Sequence, residues 1–324
     1  MKAGDARAPK ILLVGAGAVG QVYGYHLHRG GAQVTFYVRA KYREGLAQDG
    51  MPLYPLKGRD KGKCIEFKDF GLVSTPAEVA AQGPFDQVWL CMSSTALKGD
   101  WLEPLLAVVG EAPVVSLQPG LEDGPYLRAR MPAERLVQGL IPMISYQTPL
   151  PTETRNPPGI AFYTPPGKNP FSGPRVGPVV AALKAGGWAS KAVPDVARVT
   201  ALGSAMMIPV IAGLEVGGWR FKAFGRGDGV RLASAALAQT TQIAVPGFRR
   251  ALIWLFRRPW TLRFVLFMGE RVLPLPLEVY LQYHFTKVAD QTRAQLHTFI
   301  ERGRAAGQPT EAVEALLHRL PPLE

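Results

Sequence analysis

Charged side chains are sparse in this chain of 324 residues: they make up 19%, against about a quarter in an average soluble protein. Residues AVILMFWYC account for 47%, which supplies enough apolar surface for buried cores and excludes extended disorder. Cysteine is nearly absent, with only Cys64 and Cys91, so no disulfide framework holds the fold and a reducing cytoplasm is the expected compartment. The five histidines show no metal-ligand spacing, and His26 and His28 point to different sides of a helix, so no metal is expected. No G-x-S-x-G element or Cys/His nucleophile pattern is present. The opening MKAGDARAPK lacks the apolar core of a signal peptide. No apolar run reaches the 18 or more residues of a membrane span, and the longest uncharged stretch, Val199 to Leu214, contains Gly203, Pro209 and Gly213, which suits a buried helix.

Acidic residues are in deficit, 25 against 37 Lys and Arg, for a net charge of +12. The excess is partly local: residues 249–271 hold six Arg and one Glu.

Apolar runs at Lys10–Val14, Gln33–Val38, Gln87–Met92, Pro113–Leu117 and Leu136–Ile141 read as strands of a sheet buried on both faces, with helical connections such as Pro76–Ala81 and Leu102–Val109 between them. The charged stretch Lys57–Lys68 predicts a surface loop entering a strand near Cys64–Phe67. Residues 148–175 are dense in proline and predict a loop-rich region with short edge strands. From about Val193 the period becomes helical, through Val196–Val216, Val230–Ala244 and Val288–Ile300. The expected division is therefore 1–190 and 191–324.

Between the first two strand-like runs lies Gly15-Ala16-Gly17-Ala18-Val19-Gly20, a G-x-G-x-x-G. It follows a buried strand and opens a helix, and a second strand arrives within about thirty residues, the context of a dinucleotide-binding βαβ unit. In that arrangement the first glycine allows the tight turn, the second admits a pyrophosphate and the third lets helix and strand pack closely, while the helix N-terminus offers free N–H groups. The fold class follows: α/β, with an N-terminal Rossmann-type dinucleotide-binding domain and a C-terminal, mainly α-helical domain. An NAD site usually places an acid at the end of the second strand. Here Val38-Arg39-Ala40-Lys41 stands instead, and a guanidinium can pair with a 2′-phosphate, so NADP(H) is the expected cofactor.

ILLVGAGAVGQVYGYHL followed by VTFYVRAKYREGL, then FDQVWLCMSS, VVSLQPG, PPGIAFYTPPG, VTALGSAMMIPV and DQTRAQLHTFIERGRAAGQPT, resemble the ketopantoate reductase (2-dehydropantoate 2-reductase) family. The resemblance covers most of 10–215 and 286–310. It implies an NADP(H)-dependent oxidoreductase with its active site between a Rossmann domain and a helical one, and it adds Ser93 to the cofactor-binding positions. It also implies catalytic positions at Thr200 and Gln291, where the family carries a lysine and an acid. Ser93 stands where the family's strand ends in lysine, Pro119 replaces an asparagine, and Ser204 and Ile208 replace two more. Val193–Glu215 contains no lysine in any register. Because a carbonyl that accepts hydride needs a proton and a positive charge nearby, these substitutions predict a substrate other than ketopantoate, bulkier and more apolar. The rival reading is a non-catalytic NADP(H)-binding or membrane-associated protein. His284, His297, Lys98 and Glu215 are the alternative proton donors.

The run FRRALIWLFRRPWTLRFVLFMGERVLPLPLEVY, Phe248–Tyr280, alternates arginines with large aromatics. Two packed helices, a peripheral membrane contact through 248–268, and a nucleic-acid face all fit that pattern. No nucleic-acid motif accompanies it, which argues against the last. A small-molecule substrate is the expected partner, and dimerisation is left open.

Overall fold

The computed structural model describes residues 7–323. Its twelve strands are β1 Lys10–Val14, β2 Gln33–Tyr37, β3 Met51–Pro55, β4 Ile65–Phe67, β5 Gly71–Val73, β6 Gln87–Leu90, β7 Val114–Ser116, β8 Leu136–Gly139, β9 Ile144–Thr148, β10 Gly159–Tyr163, β11 Asn169–Ser172 and β12 Ser190–Ala192. The helices are α1 Ala18–Arg29, α2 Arg43–Asp49, α3 Pro76–Gln82, α4 Ser94–Leu97, α5 Leu102–Val108, α6 Asp123–Arg128, α7 Val176–Ala185, α8 Val196–Val216, α9 Phe221–Arg226, α10 Asp228–Ala244, α11 Arg250–Phe256, α12 Pro259–Val272, α13 Leu277–Thr286, α14 Ala289–Ala305 and α15 Glu311–His318.

The chain forms two compact units. The first comprises the described residues to Gln118, Asp123–Pro149 and Arg155–Ala197; the second comprises Pro119–Glu122, Leu150–Thr154 and the chain from Arg198. The division expected after residue 190 falls within β12, and the chain leaves the first unit only after Ala197. Part of the proline-rich stretch, Leu150–Thr154, also joins the second unit.

In the first unit, six strands run parallel in the order β5-β2-β1-β6-β7-β8, the 3-2-1-4-5-6 sequence of a doubly wound sheet. β11 adds antiparallel to β8, and β12 follows it at the edge. Strand alternation gives the sheet two buried faces. Ile11 and Leu13 of β1 join a core with Trp89, Val115, α1 residues Val22, Tyr23 and Leu27, and α7 residues Val179 and Leu183. Leu12 and Val14 face the other way, into a core with Val88, Leu90, Val79 of α3 and Leu102, Leu105 and Leu106 of α5. A smaller sheet, β4-β3-β10-β9, packs Met51, Leu53, Phe67, Ile160 and Phe162 into the first of these cores. Sequence patterning does not reveal β3, β5 or β12, which are short strands, and the expected strand near Cys64 is β4.

The second unit is helical. α8 and α10 stand at its centre, with α14 and α15 contributing Leu296, Phe299, Ile300, Val313 and Leu316 to one core and α9, α12 and α13 contributing Phe224, Leu262, Leu266 and Phe285 to another. α8 is long and apolar enough to cross a membrane by length and composition, but Ala205, Ile208 and Ala212 are core residues of this unit. Pro209 lies inside α8 and cannot donate to the carbonyl of Ala205. The hydroxyl of Thr240 donates to that carbonyl instead, at 2.7 Å, so one missing backbone bond becomes a tie between α8 and α10. The segment Phe248–Tyr280, for which two packed helices are one of the readings, holds α11, α12 and the start of α13.

His26 is buried on α1, with Nδ1 donating to the Gly186 carbonyl at 3.2 Å, and burial lowers its pKa from 6.5 to about 4. A group held neutral in the folded state loses stability when the unfolded chain takes up the proton. The contribution of His26 is therefore fully present above pH 6.5 and falls away as pH drops to about 4, by about 3 kcal/mol. Urea midpoints measured across that window should decline, and His26→Gln, which keeps a donor for Gly186, should flatten the decline. An unchanged slope in the variant would remove His26 as its source.

Candidate functional site

The carboxyl ends of β1, β2 and β6 meet around the glycine turn. Gly15, at φ +99, adopts a backbone conformation that side chains rarely tolerate, and its N–H donates to the carbonyl of Tyr37 at 3.0 Å. The N–H of Cys91 donates to the carbonyl of Val14 at 2.9 Å, so the turn is held from both neighbouring strands. A Cβ on Gly20 would lie 2.0 Å from the Gly15 carbonyl oxygen, so the first turn of α1 can approach β1 this closely only with glycine there. Ala16, Ala18 and Val19 are half-buried and pack against the core behind the turn. The Ala16 carbonyl accepts from the Gln21 amide at 2.9 Å.

Gly17 differs from its two companions. It is the N-cap of α1, is exposed, and has extended backbone angles open to any residue; a Cβ there would meet nothing within 4 Å. No side chain caps the helix, and no acid lies in its first turn. The protein therefore has no steric use for glycine at 17, while an anion on the free N–H groups does.

Two residues beyond β2, Arg39 is exposed, its guanidinium 5.0 Å from the centre of the Tyr42 ring and donating to Tyr42 Oη at 3.0 Å. Lys41 approaches the same ring at 5.1 Å. Among the described residues Arg39 pairs with no carboxylate, so its charge is not neutralised by them. Beyond β6, Ser93 caps the short α4 through Ala96 N–H at 3.2 Å and lies 3.1 Å from the Thr95 hydroxyl. The sequence did not suggest Gln118: its amide donates to the carbonyls of Leu90 and Met92, both at 3.0 Å, and its oxygen accepts from Ser116 at 2.8 Å, which staples the end of β7 to the end of β6. Cys91 is buried, and burial pushes its thiol well above the usual range, so it is inert there.

Thr200 and Gln291 belong to the helical unit. Thr200 is half-buried near the start of α8, and Gln291, also half-buried, lies on α14. One turn beyond Thr200, Ser204 is buried and donates to the Pro119 carbonyl at 2.8 Å. A further turn on, Ile208 is a core side chain. Of the alternative proton donors, Glu215 is engaged with Arg293 in a two-point ion pair at 2.7 and 3.3 Å, the carboxylate 9% and the guanidinium 14% exposed. His284 is packed against Tyr280 and Phe285, and burial lowers its pKa to about 4. His297 and Lys98 are exposed. Among the described residues, no cluster of His, Cys, Asp and Glu could hold a metal ion.

Fold and turn together define a doubly wound dinucleotide-binding domain followed by a helical unit. Residues 11–156 match the ketopantoate reductase PanE/ApbA family, and this stretch is a domain of that family. The structure is similar to that of 2-dehydropantoate 2-reductase from Geobacter metallireducens, at 20% identity and a TM-score of 0.70, covering 96% of this chain and 98% of that one. It is also similar to a PanE/ApbA family ketopantoate reductase from Ralstonia eutropha, at 18% identity and a TM-score of 0.68, covering 95% and 96%. D-mandelate dehydrogenase, solved with NADH and anilino(oxo)acetate, is similar at 14% identity and a TM-score of 0.68, covering 96% of each chain. No curated protein matches the chain significantly in sequence.

Gly17→Ala separates the ligand's need for glycine from that of the fold. With open space around its Cβ, the variant should melt within about 1 kcal/mol of the parent, since Ala is a poorer N-cap by only a modest amount. Dinucleotide affinity measured by calorimetry should nevertheless fall at least tenfold. Equal affinity in parent and variant would refute a pyrophosphate at this helix end.

Proposed function

We propose that the chain is an NADP(H)-dependent oxidoreductase of the ketopantoate reductase type, cytoplasmic, acting on a small carbonyl compound more apolar than ketopantoate. Gly17 carries the reading: it is the open N-terminus of α1, beside a strand end that offers Arg39 and no acid. Gly15 and Gly20 set the turn, the N–H groups of Ala18 and Val19 would hold a pyrophosphate, and Arg39 would pair with a 2′-phosphate. A nicotinamide dinucleotide held there would supply hydride for reduction of a carbonyl carbon. Tyr42 holds the Arg39 guanidinium in place by a ring contact and a hydrogen bond, which lowers the entropy that pairing with phosphate would cost.

The helical unit offers the substrate a neutral surface at the positions carried over from the family. The hydroxyl of Thr200 and the amide of Gln291 can donate hydrogen bonds to a developing alkoxide, but neither brings a positive charge. Ser204 is committed to Pro119, and Ile208 is aliphatic. Such a set favours a substrate with a larger apolar part. The similar fold of D-mandelate dehydrogenase holds an anilino-substituted oxoacid, so the architecture accepts one. Glu215, locked to Arg293, favours a second reading, a protein that binds NADP(H) without turnover.

Titration should show NADPH bound more tightly than NADH. Arg39→Ala should remove most of that preference, about 1.5 to 3 kcal/mol for a charge-assisted pair. Equal affinities in the parent protein would sink the assignment of NADP(H).

Following NADPH absorbance, ketopantoate should be reduced at or near background, because Ser93, Pro119, Thr200 and Gln291 offer no cation to the alkoxide. Thr200→Lys alone should not restore a normal rate, since groups that act as a unit are far from additive. Aryl-substituted 2-oxoacids should be reduced measurably. Rapid turnover of ketopantoate would overturn the substrate reading, and tight NADPH binding with no turnover of any oxoacid would establish the non-catalytic one.

A further inference from the structure

We propose that α11 and α12 form a docking face for the surface of an anionic phospholipid bilayer. α12 is apolar on two sides. Leu262 and Leu266 point into the core with Phe224 and Phe285, and Gly269 packs against Leu277 on the same side. The spacing 260, 264, 267 and 268 puts Trp260, Phe264, Phe267 and Met268 on the opposite side, and all four are exposed, Phe264 to 58% and Trp260 to 55%. Val265 and Val272 border them, and Trp254 of α11 is 57% exposed. A helix that is hydrophobic all round is ordinarily buried all round, so the outward side of α12 is made to be covered by something.

Charge identifies what covers it. Arg249, Arg250, Arg257, Arg258, Arg263 and Arg271 lie on or cap these two helices, and Glu270 is the only acid among residues 249–271. None of the six is in an ion pair among the described residues, while nearby Glu278 is taken by Arg220. Two of the cations rest on aromatic faces, Arg258 at 4.5 Å from Trp254 and Arg271 at 3.4 Å from Phe267. A second copy meeting the same patch across a two-fold axis would bring arginines against arginines, which disfavours a dimer here. Nucleic acid would satisfy the arginines but leave Val265, Met268 and Val272 without an apolar partner. A bilayer with anionic headgroups satisfies both chemistries, and a helix of 14 residues is too short to span it, so α12 lies in the interfacial plane with the aromatics inserted and the arginines at headgroup level.

The test is co-sedimentation of the full chain with vesicles of phosphatidylglycerol and phosphatidylcholine in equal parts, against vesicles of phosphatidylcholine alone, at low and high salt. Binding should be confined to the anionic vesicles and decline with salt, accompanied by a blue shift of tryptophan emission. Arg257→Ala with Arg258→Ala should weaken partitioning about thirtyfold. Phe264→Ser, on an exposed position, should weaken it while leaving the melting temperature and NADPH affinity of the parent. Absence of binding at low salt overturns the proposal, as does equal binding to neutral vesicles. A concentration-dependent dimer abolished by Phe264→Ser also overturns it, by assigning the face to a second copy.

Discussion

The contact between the first turn of α1 and the end of β1 governs the carboxyl edge of the large sheet. With a Cβ at residue 20 the Gly15 carbonyl would have to move, and that carbonyl belongs to the residue whose N–H is tied to Tyr37. The same Cβ would lie 3.3 Å from Cys91, the residue that leads β6 into Ser93. One missing side chain therefore sets the mutual position of three strand ends. Strand β2 then delivers Arg39, strand β6 delivers Ser93, and α1 presents its unpaired N–H groups between them. The central sheet can be rigid here because both of its faces are filled, by α1 and α7 on one side and by α3 and α5 on the other.

The helical unit solves a different problem, a proline in the middle of its longest helix. Pro209 would leave the Ala205 carbonyl buried without a partner, a loss of about 1 to 3 kcal/mol. The Thr240 hydroxyl meets that carbonyl, and it does so on the side of α8 where α10 packs. Structure has also claimed positions that the sequence offers for chemistry, whether by resemblance to the family or as alternative proton donors. Ser204 is fastened to the Pro119 carbonyl, Ile208 fills the core and Glu215 holds Arg293, whose second guanidinium nitrogen also reaches the Pro321 carbonyl at 2.6 Å. A buried carboxylate already paired with arginine is a poor proton donor, because giving up the pair would strand the guanidinium.

The buried parallel strands were legible because their apolar runs are continuous, and the turn was legible because Gly15, Gly17 and Gly20 serve separate purposes at fixed spacing. Arg39 could be read from its place at the end of a strand. β3, β5 and β12 could not: a three- to five-residue strand such as Met51–Pro55, with prolines at two of its positions, carries no period of its own and is formed by its neighbours in the sheet. Gln118 was invisible for a similar reason, since its role depends on the carbonyls of Leu90 and Met92, which only the fold brings to it. The excursions of 119–122 and 150–154 into the second unit leave no mark in composition that a loop would not also leave.

The net charge of +12 also resolves only in three dimensions. In the first unit many cations are answered locally: Arg7 by Asp86, Arg43 by Glu78, Lys63 by Asp60 and Lys68 by Glu66. Around α11 and α12 no arginine is answered by an acid among the described residues, and the apolar residues between them divide into an inward and an outward set. The division follows from shape and charge together. Leu262 and Leu266 fill the space beside Phe224 and Phe285, and at positions 258 and 271 a guanidinium lies over a neighbouring aromatic ring, at residues 254 and 267. A guanidinium over an aromatic ring keeps its charged head in water while its stem and the ring share apolar contact, so such a ring sits where water and an apolar surface meet. Arg271 over Phe267 marks the outward side of α12 as the one that meets water, while Leu262 and Leu266 fill the core on the other side.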